Sequence, residues 1–307
     1  EVQAGAAKRK SRKRWKDIGF VWSILIYPLI LFLIFYVYVN INSFVMAFQK
    51  QNLDGTKIFV GFDNFKQFLS DMSAEGGLLN ISFRNSVKMY LLNLLICMPL
   101  YIIFSYFLFK NFIGSKVIRV VVMIPQVVSG MVIALLFKKI VSDALPGLME
   151  SLFGREFPDL LSTPGKRFGT VLFYGIWISF STSLIVYSNA MGEINEEVIE
   201  SAHIDGIDTM FPELWHIILP SIYPTLTTFI VVGFAGFLAD AGALVTFYAA
   251  DGEAEVYTLG YYFQVQILRN NTGNFNVVAA GGLMMSLVIA PLTFLLKYCM
   301  EKFGPGE

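Results

Sequence analysis

Charge is scarce in this sequence. Lys, Arg, Asp and Glu together make 15% of 307 residues and balance to zero. A balanced chain carries no basic footprint for nucleic acid. Histidine occurs only at His203 and His216, both in one polar stretch, so no Cys/His cluster has the spacing of a metal site. Cysteine is limited to Cys97 and Cys299. Both fall in apolar runs, which suits small hydrophobic packing better than a disulfide. No Gly-x-x-x-x-Gly-Lys-Ser/Thr stretch is present, and Pro164-Gly-Lys-Arg lacks both the first glycine and the hydroxyl residue. The chain therefore cannot cradle ATP as a P-loop does, and no cofactor is expected on it.

What is abundant is apolar: 55% hydrophobic residues, with 29 Phe and 14 Tyr. Amphipathic periodicity gives way to runs of about 20 residues that are apolar all round, the length that crosses a bilayer as a helix. Six are expected, at about 19–39, 87–109, 117–141, 168–191, 222–249 and 277–298. Lys8, Arg9, Lys10, Arg12, Lys13, Arg14 and Lys16 place seven of the 23 basic residues in a tail at 1–18. Basic residues beside the first span stay on the inner side. The run from Phe20 is too long for a cleavable signal. Residues 301–307 form an inner C-terminal tail, so both termini are expected inside. The chain reads as an all-α multi-pass membrane protein whose permease domain covers 19–300. No nucleophile–His–acid set can assemble within such a membrane domain.

Several features within the spans stand out. Pro125 is expected to kink the third span. Ser142 to Arg167 reads as an outer loop, and Lys138 and Lys139 as side chains that reach for the interface. Ser179, Ser181, Thr182 and Ser183 let the fourth span pack closely, and Ala279-Ala280-Gly281-Gly282 does the same for the sixth. Asp240 is an ionisable group deep in the fifth span, among Gly233, Gly236 and Gly242. Such a group faces the bundle interior or water. It is either an acceptor for solute hydroxyls, an interhelical hydrogen-bond partner, or a residue near the outer mouth. Asn93, Gln126, Trp177 and Ser181 are further pathway candidates, because amides and hydroxyls bond to polar solutes and aromatic faces stack on sugar rings.

The stretch that organises the chain lies at 192–220. It begins with good helix formers from Glu196 to His203. Asp205-Gly206 then breaks the helix, with Asp205 expected to cap the helix that follows. Pro212 and Pro220 bound that second helix. Glu193, Glu196, Glu197, Glu200, Asp205, Asp208 and Glu213 make the loop acidic, with no Lys or Arg. Glu200-Ser201-Ala202-x-x-Asp205-Gly206, followed by Ile217-x-Leu219-Pro220, resembles the EAA loop of ABC importer permeases. Ser201 stands where the family has its first Ala, and Ile207 where it usually has Ala. Across nearly its whole length the chain is similar to the carbohydrate branch of that family, related to maltose and glycerol-3-phosphate permeases. The segment Val60-Gly61-Phe62-Asp63-Asn64-Phe65 and the segment Glu255-Val-Tyr-Thr-Leu-Gly-Tyr-Tyr-Phe263 resemble that branch too, the latter its oligosaccharide and polysaccharide members.

The resemblance implies a type I importer fold in the inner membrane of a prokaryote. It also implies a second homologous permease subunit, two ATPase subunits carrying ATP and Mg, and an extracytoplasmic solute-binding protein. The loop would dock on the ATPase, and the solute would be a carbohydrate. Two rival readings remain open here. One is an ABC importer of a non-sugar solute. The other is a channel or secondary transporter, which needs no docking loop and often carries intramembrane charge pairs.

Overall fold

The computed structural model describes residues 20–51, 56–154, 156–269 and 274–305, so the basic tail at 1–18 lies outside the described residues. In chain order the helices are α1 (Phe20–Ala47), α2 (Asp63–Ser73), α3 (Leu78–Phe109), α4 (Ser115–Val127), α5 (Gly130–Phe153), α6 (Arg167–Gly192), α7 (Glu196–Ile204), α8 (Met210–Ser221), α9 (Tyr223–Gly236), α10 (Leu244–Tyr248), α11 (Leu259–Leu268) and α12 (Phe275–Phe303). One antiparallel hairpin, Gln49–Gln51 with Lys57–Phe59, interrupts the helical order. Four helices, α1, α3, α6 and α12, are long and apolar enough to cross a membrane. The count rises to six if α4 with α5 and α8 with α9 each form one bent span.

Several boundaries differ from the sequence reading. The third span does not kink at Pro125. It ends at Val127, and α5 sets off at 102° after the extended residues Val128 and Ser129. Two β-branched residues followed by Ser-Gly favour extended backbone there. α5 stays helical to Phe153, through much of the stretch expected as a loop. Gly154 stops it at φ +62, a conformation glycine adopts without strain. α3 starts nine residues early because Ser82, Asn85 and Ser86 are buried and bonded rather than solvated. α12 continues to Phe303, into the expected tail.

Proline acts through a different device. Wide π turns at Asn93–Cys97, Ile140–Ala144 and Leu214–Ile218 each end two residues before a proline: Pro99, Pro146 and Pro220. A helical proline cannot donate to the carbonyl of the preceding turn and collides with it. Widening that turn removes the collision without ending the helix.

Two compact units divide the contacts: residues 1–68 with 272–283, and 69–271 with 284–307. In the first, α1 buries nothing before Ala47. From Phe20 to Val39 its exposed residues, Ser23 apart, are apolar on every side, as a lipid-embedded helix requires. Asn64 is buried and donates to both Ala47 O and Gln49 O at 2.8 Å. This explains the asparagine in the Val60–Phe65 segment: it closes the chain reversal after α1. The ring of Phe68 lies against Gly281, and a Cβ on Gly281 would overlap it.

The second unit holds two cores. One gathers Phe137, Tyr174, Phe247 and Tyr261 from α5, α6, α10 and α11, with Tyr257 from the segment just before α11. The other gathers Tyr101, Tyr106, Tyr187, Leu214, Ile218 and Ile222, so α8 shares a core with α3 and α6. Lys138, expected at the interface, instead donates to Phe247 O at 2.5 Å in the last turn of α10. Between α5 and α6, Asp159 accepts from Ser142 Oγ at 2.9 Å, Leu161 N–H at 2.9 Å and Ser162 Oγ at 2.5 Å. Burial alone would raise its pKa. The hydrogen bonds, from Ser162 first, outweigh burial and hold the carboxyl below its ordinary value.

Two outcomes follow. Gly281→Ala should cost about 1–3 kcal/mol by overpacking against Phe68, read as a lower Tm of the detergent-solubilised protein. Gly282→Ala, with nothing within 4 Å of its Cβ, should be neutral or slightly stabilising; equal losses in both would contradict the packing assignment. For Asp159, a depressed folded pKa means its contribution is present above the unfolded value, about 3.9, and is lost as pH falls through the folded one. Amide exchange at 159–166 should therefore accelerate below about pH 4, and Asp159→Asn should remove that pH dependence.

Candidate functional site

The polar stretch folds as the sequence demands, with one reassignment. Asn195 caps α7, its side chain accepting the Glu197 N–H at 3.1 Å. Glu196 and Glu197 occupy the first turn, where carboxylates suit the helix dipole. At the other end Gly206 takes φ +89. Its N–H donates to His203 O at 3.1 Å, and Ile207 N–H to Ala202 O at 2.9 Å. Those two bonds make a Schellman stop. Asp205 is therefore the C-cap of α7, not the N-cap of the next helix. Thr209 occupies that place, because the stop consumes the residues after Ala202.

Of the motif residues, Ala202 and Ile217 are buried, Leu219 and Pro220 half-buried, and Glu200, Ser201, Asp205 and Gly206 exposed. α8 is sharply two-faced. Glu213, Leu214, Ile217 and Ile218 point inward, while Phe211 and Trp215 point out. Ile204 is 86% exposed, Phe211 74% and Trp215 61%. Three large apolar side chains are thus exposed in a stretch that also exposes Glu196, Glu197, Glu200 and Asp208. The sequence reading did not single them out; the four-residue spacing of Phe211 and Trp215 on a face opposite Ile217 was the available signal.

Glu213 does not belong to the acidic surface. It is 3% exposed. Its Oε1 pairs with Lys110 Nζ at 2.6 Å, and its Oε2 accepts the Tyr106 hydroxyl at 2.8 Å. The 70° elbow between α8 and α9 is held on its other side: Tyr223 OH donates to Met300 O at 2.9 Å, and Gly304 leaves room for the Tyr223 ring.

A cavity of about 740 Å³ opens among α3, α6 and α9. Tyr90, Asn93 and Tyr101 line it from α3, Tyr174, Ser179 and Ser183 from α6, and Gly233, Gly236 and Phe237 from α9. Asp240 completes it, but not from within a span. The fifth span expected at 222–249 stops as a helix at Gly236, and Asp240 sits in the turn that follows. Its Oδ1 accepts Gly242 N–H at 2.7 Å, with Gly242 at φ +51. No ion pair reaches Asp240 among the described residues.

The segment Glu255–Phe263 supports this turn. Asn85 donates to Glu255 O and Tyr257 O at 3.0 Å each, and Ser86 Oγ accepts Leu259 N–H at 2.9 Å. Thr258 caps α11 and donates to Asp240 O at 3.1 Å. A Cβ at Gly260 would overlap Ala239 O, so only glycine lets α11 approach the broken backbone. Asn93 and Asp240 are thus brought to one cavity. Trp177, Gln126 and Ser181 stand outside its lining. Trp177 stacks in a ring cluster with Phe137 and Tyr174, each at 6.2 Å. Gln126 is exposed near the end of α4. Ser181 is buried and donates to Val122 O, tying α6 to α4. Tyr90 and Tyr101 share a helical face with Asn93 and were not named from the sequence. No metal-binding group of His, Cys, Asp and Glu is found among the described residues.

Comparison with known proteins agrees with this geometry. The chain is 23% identical over 289 residues to the multiple sugar-binding transport system permease protein MsmF of Streptococcus mutans, covering 92% of this chain and 95% of that protein. It is 22% identical over 296 residues to the arabinooligosaccharides transport system permease protein AraP of Bacillus subtilis, covering 92% and 91%. In fold it matches a chain of a bacterial ABC transporter involved in import of the acidic polysaccharide alginate. The TM-score is 0.76 at 20% identity, over 95% of this chain and 99% of that one. A second alginate transporter structure, in complex with an alginate pentasaccharide-bound periplasmic protein, matches with a TM-score of 0.72 at 19% identity, over 94% and 97%. The family described as binding-protein-dependent transport system inner membrane component matches residues 82–305, which contain α8, the elbow and every residue lining the cavity, and this chain belongs to that family.

Proposed function

We propose that the chain is one membrane-spanning subunit of an ATP-driven importer of carbohydrate, an oligosaccharide or polysaccharide, with six spans and both termini on the cytoplasmic side. A second, homologous permease subunit would complete the pathway. Two ATPase subunits would hold ATP and Mg, and an extracytoplasmic binding protein would deliver the solute. The observation that carries this reading is the loop of α7 and α8. A Schellman turn joins α7, which exposes Ile204 with Glu196, Glu197 and Glu200, to Asp208 and to α8, which exposes Phe211 and Trp215. Exposed apolar patches rimmed by charge mark docking surfaces, and the exposed carboxylates suit a basic cleft on the ATPase. Closure of the ATPase pair would push this loop, and the elbow at Ile222 would convert the push into movement of the helices around the cavity.

The cavity speaks to the solute. It presents tyrosine rings, amide and hydroxyl groups, one carboxylate and no Lys, Arg or His. Rings stack on sugar faces, and Asp240 accepts hydroxyl protons. A carboxylate without a nearby cation repels an anionic solute in a poorly screened cavity, so this half of the pathway favours neutral sugar. In this it differs from what alginate, an acidic polysaccharide, would require.

Gly206→Pro should abolish coupling. It removes the N–H bonded to His203 O and cannot adopt φ +89. Solute-stimulated ATP hydrolysis by the assembled transporter should fall at least about tenfold, while the ATPase subunits keep their basal rate. Undiminished stimulated hydrolysis would sink the docking assignment. At Asp240, Asn keeps the acceptor for Gly242 N–H and for sugar hydroxyls, whereas Leu keeps neither. Uptake of a neutral oligosaccharide should largely survive Asp240→Asn and drop about tenfold or more in Asp240→Leu. Full uptake by the Leu variant at normal expression would show that Asp240 does not meet the solute.

A further inference from the structure

The ion pair Lys110–Glu213, its carboxylate buried and its ammonium partly exposed, joins two segments with different duties. Lys110 ends α3, the second span, whose inner face lines the cavity at Tyr90, Asn93 and Tyr101. Glu213 is in the first turn of α8, which displays Phe211 and Trp215. The Glu213 side chain is 4% exposed and that of Lys110 33%. Both carboxylate oxygens are engaged, Oε1 by Lys110 at 2.6 Å and Oε2 by Tyr106 at 2.8 Å. The ammonium also lies 5.7 Å and 5.8 Å from the ring centres of Tyr106 and Phe109. From α4, Arg119 donates to Leu108 O at 3.4 Å and to Ser188 Oγ at 3.2 Å, which ties the same end of α3 to α6.

A half-buried ion pair is a poor stabiliser. Removing its charges from water costs about as much as their attraction returns, and apolar side chains of similar size often serve stability as well. What it supplies is register. The apolar contact of Leu214 and Ile218 with Tyr101 and Tyr106 would tolerate sliding or rotation, because apolar contact has no direction. A carboxylate with the Tyr106 hydroxyl donating to one oxygen and the Lys110 ammonium as counter-ion at the other, from successive turns of α3, tolerates it less.

We propose that Lys110, Tyr106 and Glu213 form a strut that makes α8 and α3 move as one body, so that a push on the loop is delivered to the cavity wall through the second span. This rests on the coupling role proposed above for the loop. Glu213 is a positioning residue here: it touches neither ATPase nor solute.

The test uses the complete transporter with its ATPase and partner subunits, reading solute imported per ATP hydrolysed. In Lys110→Met/Glu213→Leu the contact stays filled but loses direction. Assembly and thermal stability should stay near wild type, while solute per ATP falls about tenfold. The exchanged pair Lys110→Glu/Glu213→Lys should recover most of that ratio. A wild-type ratio in the apolar double variant overturns the proposal. A second variant covers the case in which the apolar one does not assemble: Lys110→Cys/Glu213→Cys, with Cys97 and Cys299 replaced by Ala, bridged by a short bismaleimide. Two segments that move as one body keep transporting when bridged; loss of transport on bridging overturns the strut. Intact coupling in Gly206→Pro would instead refute the docking role of the loop, so the two failures are distinguishable.

Discussion

A backbone N–H or C=O released inside an apolar segment has no water to turn to, and much of this structure answers that constraint. At several helix ends and reversals a polar side chain stands at the gap. Asn64 holds two carbonyls where α1 ends. Asn85 holds two more below α11, with Ser86 beside it. The Tyr261 hydroxyl serves Gly252 N–H and Ala249 O. The asparagine amide suits this work because its two N–H groups reach two acceptors at once. The π turns before Pro99, Pro146 and Pro220 are the complementary solution: where the donor is missing from the chain itself, the turn widens.

The same constraint shapes the cavity. A carboxylate in mid-helix would have faced either lipid or a partner cation. Instead the helix ends at Gly236, and Asp240 sits in a turn whose backbone is bonded to Thr258 and pressed by Gly260. The turn is thus held from behind, while its carboxylate accepts the Gly242 N–H and lines the cavity. The weak motif at Glu255–Phe263 gains a physical meaning from this: its threonine and glycine build the support, and its first carbonyls accept from Asn85.

The acidic loop divides by burial into two functions. Carboxylates on α7 and at Asp208 remain exposed, in the same stretch as the exposed Ile204, Phe211 and Trp215. Glu213 is withdrawn into the protein and neutralised by Lys110. In the docking role proposed above, exposed rings would supply affinity and exposed carboxylates would select the partner by charge. Withdrawal of Glu213 fixes the helix that carries those rings.

Much was legible in the sequence by itself. Apolar run length depends only on bilayer thickness, so α1, α6 and α12 are visible without any tertiary information, and the all-α membrane class with them. The α7 stop was legible because left-handed backbone at Gly206 is a local property of Asp-Gly after a helix former. The Glu200–Pro220 spacing carried the family. What only the tertiary structure decided are the features that depend on neighbours. The break at Val128 and the end of α9 at Gly236 required packing partners and distant hydrogen bonds that local propensity does not encode. Ser181 reads like Ser179 along the chain, yet one bonds to Val122 and the other faces the cavity, because two residues, about 200° of helix rotation, separate them. Glu213 looks like any other acidic loop residue until Lys110, 103 positions away (213 minus 110), is folded against it. Burial, and with it the sign and reach of a charge, is a property of the assembled chain and not of the residue.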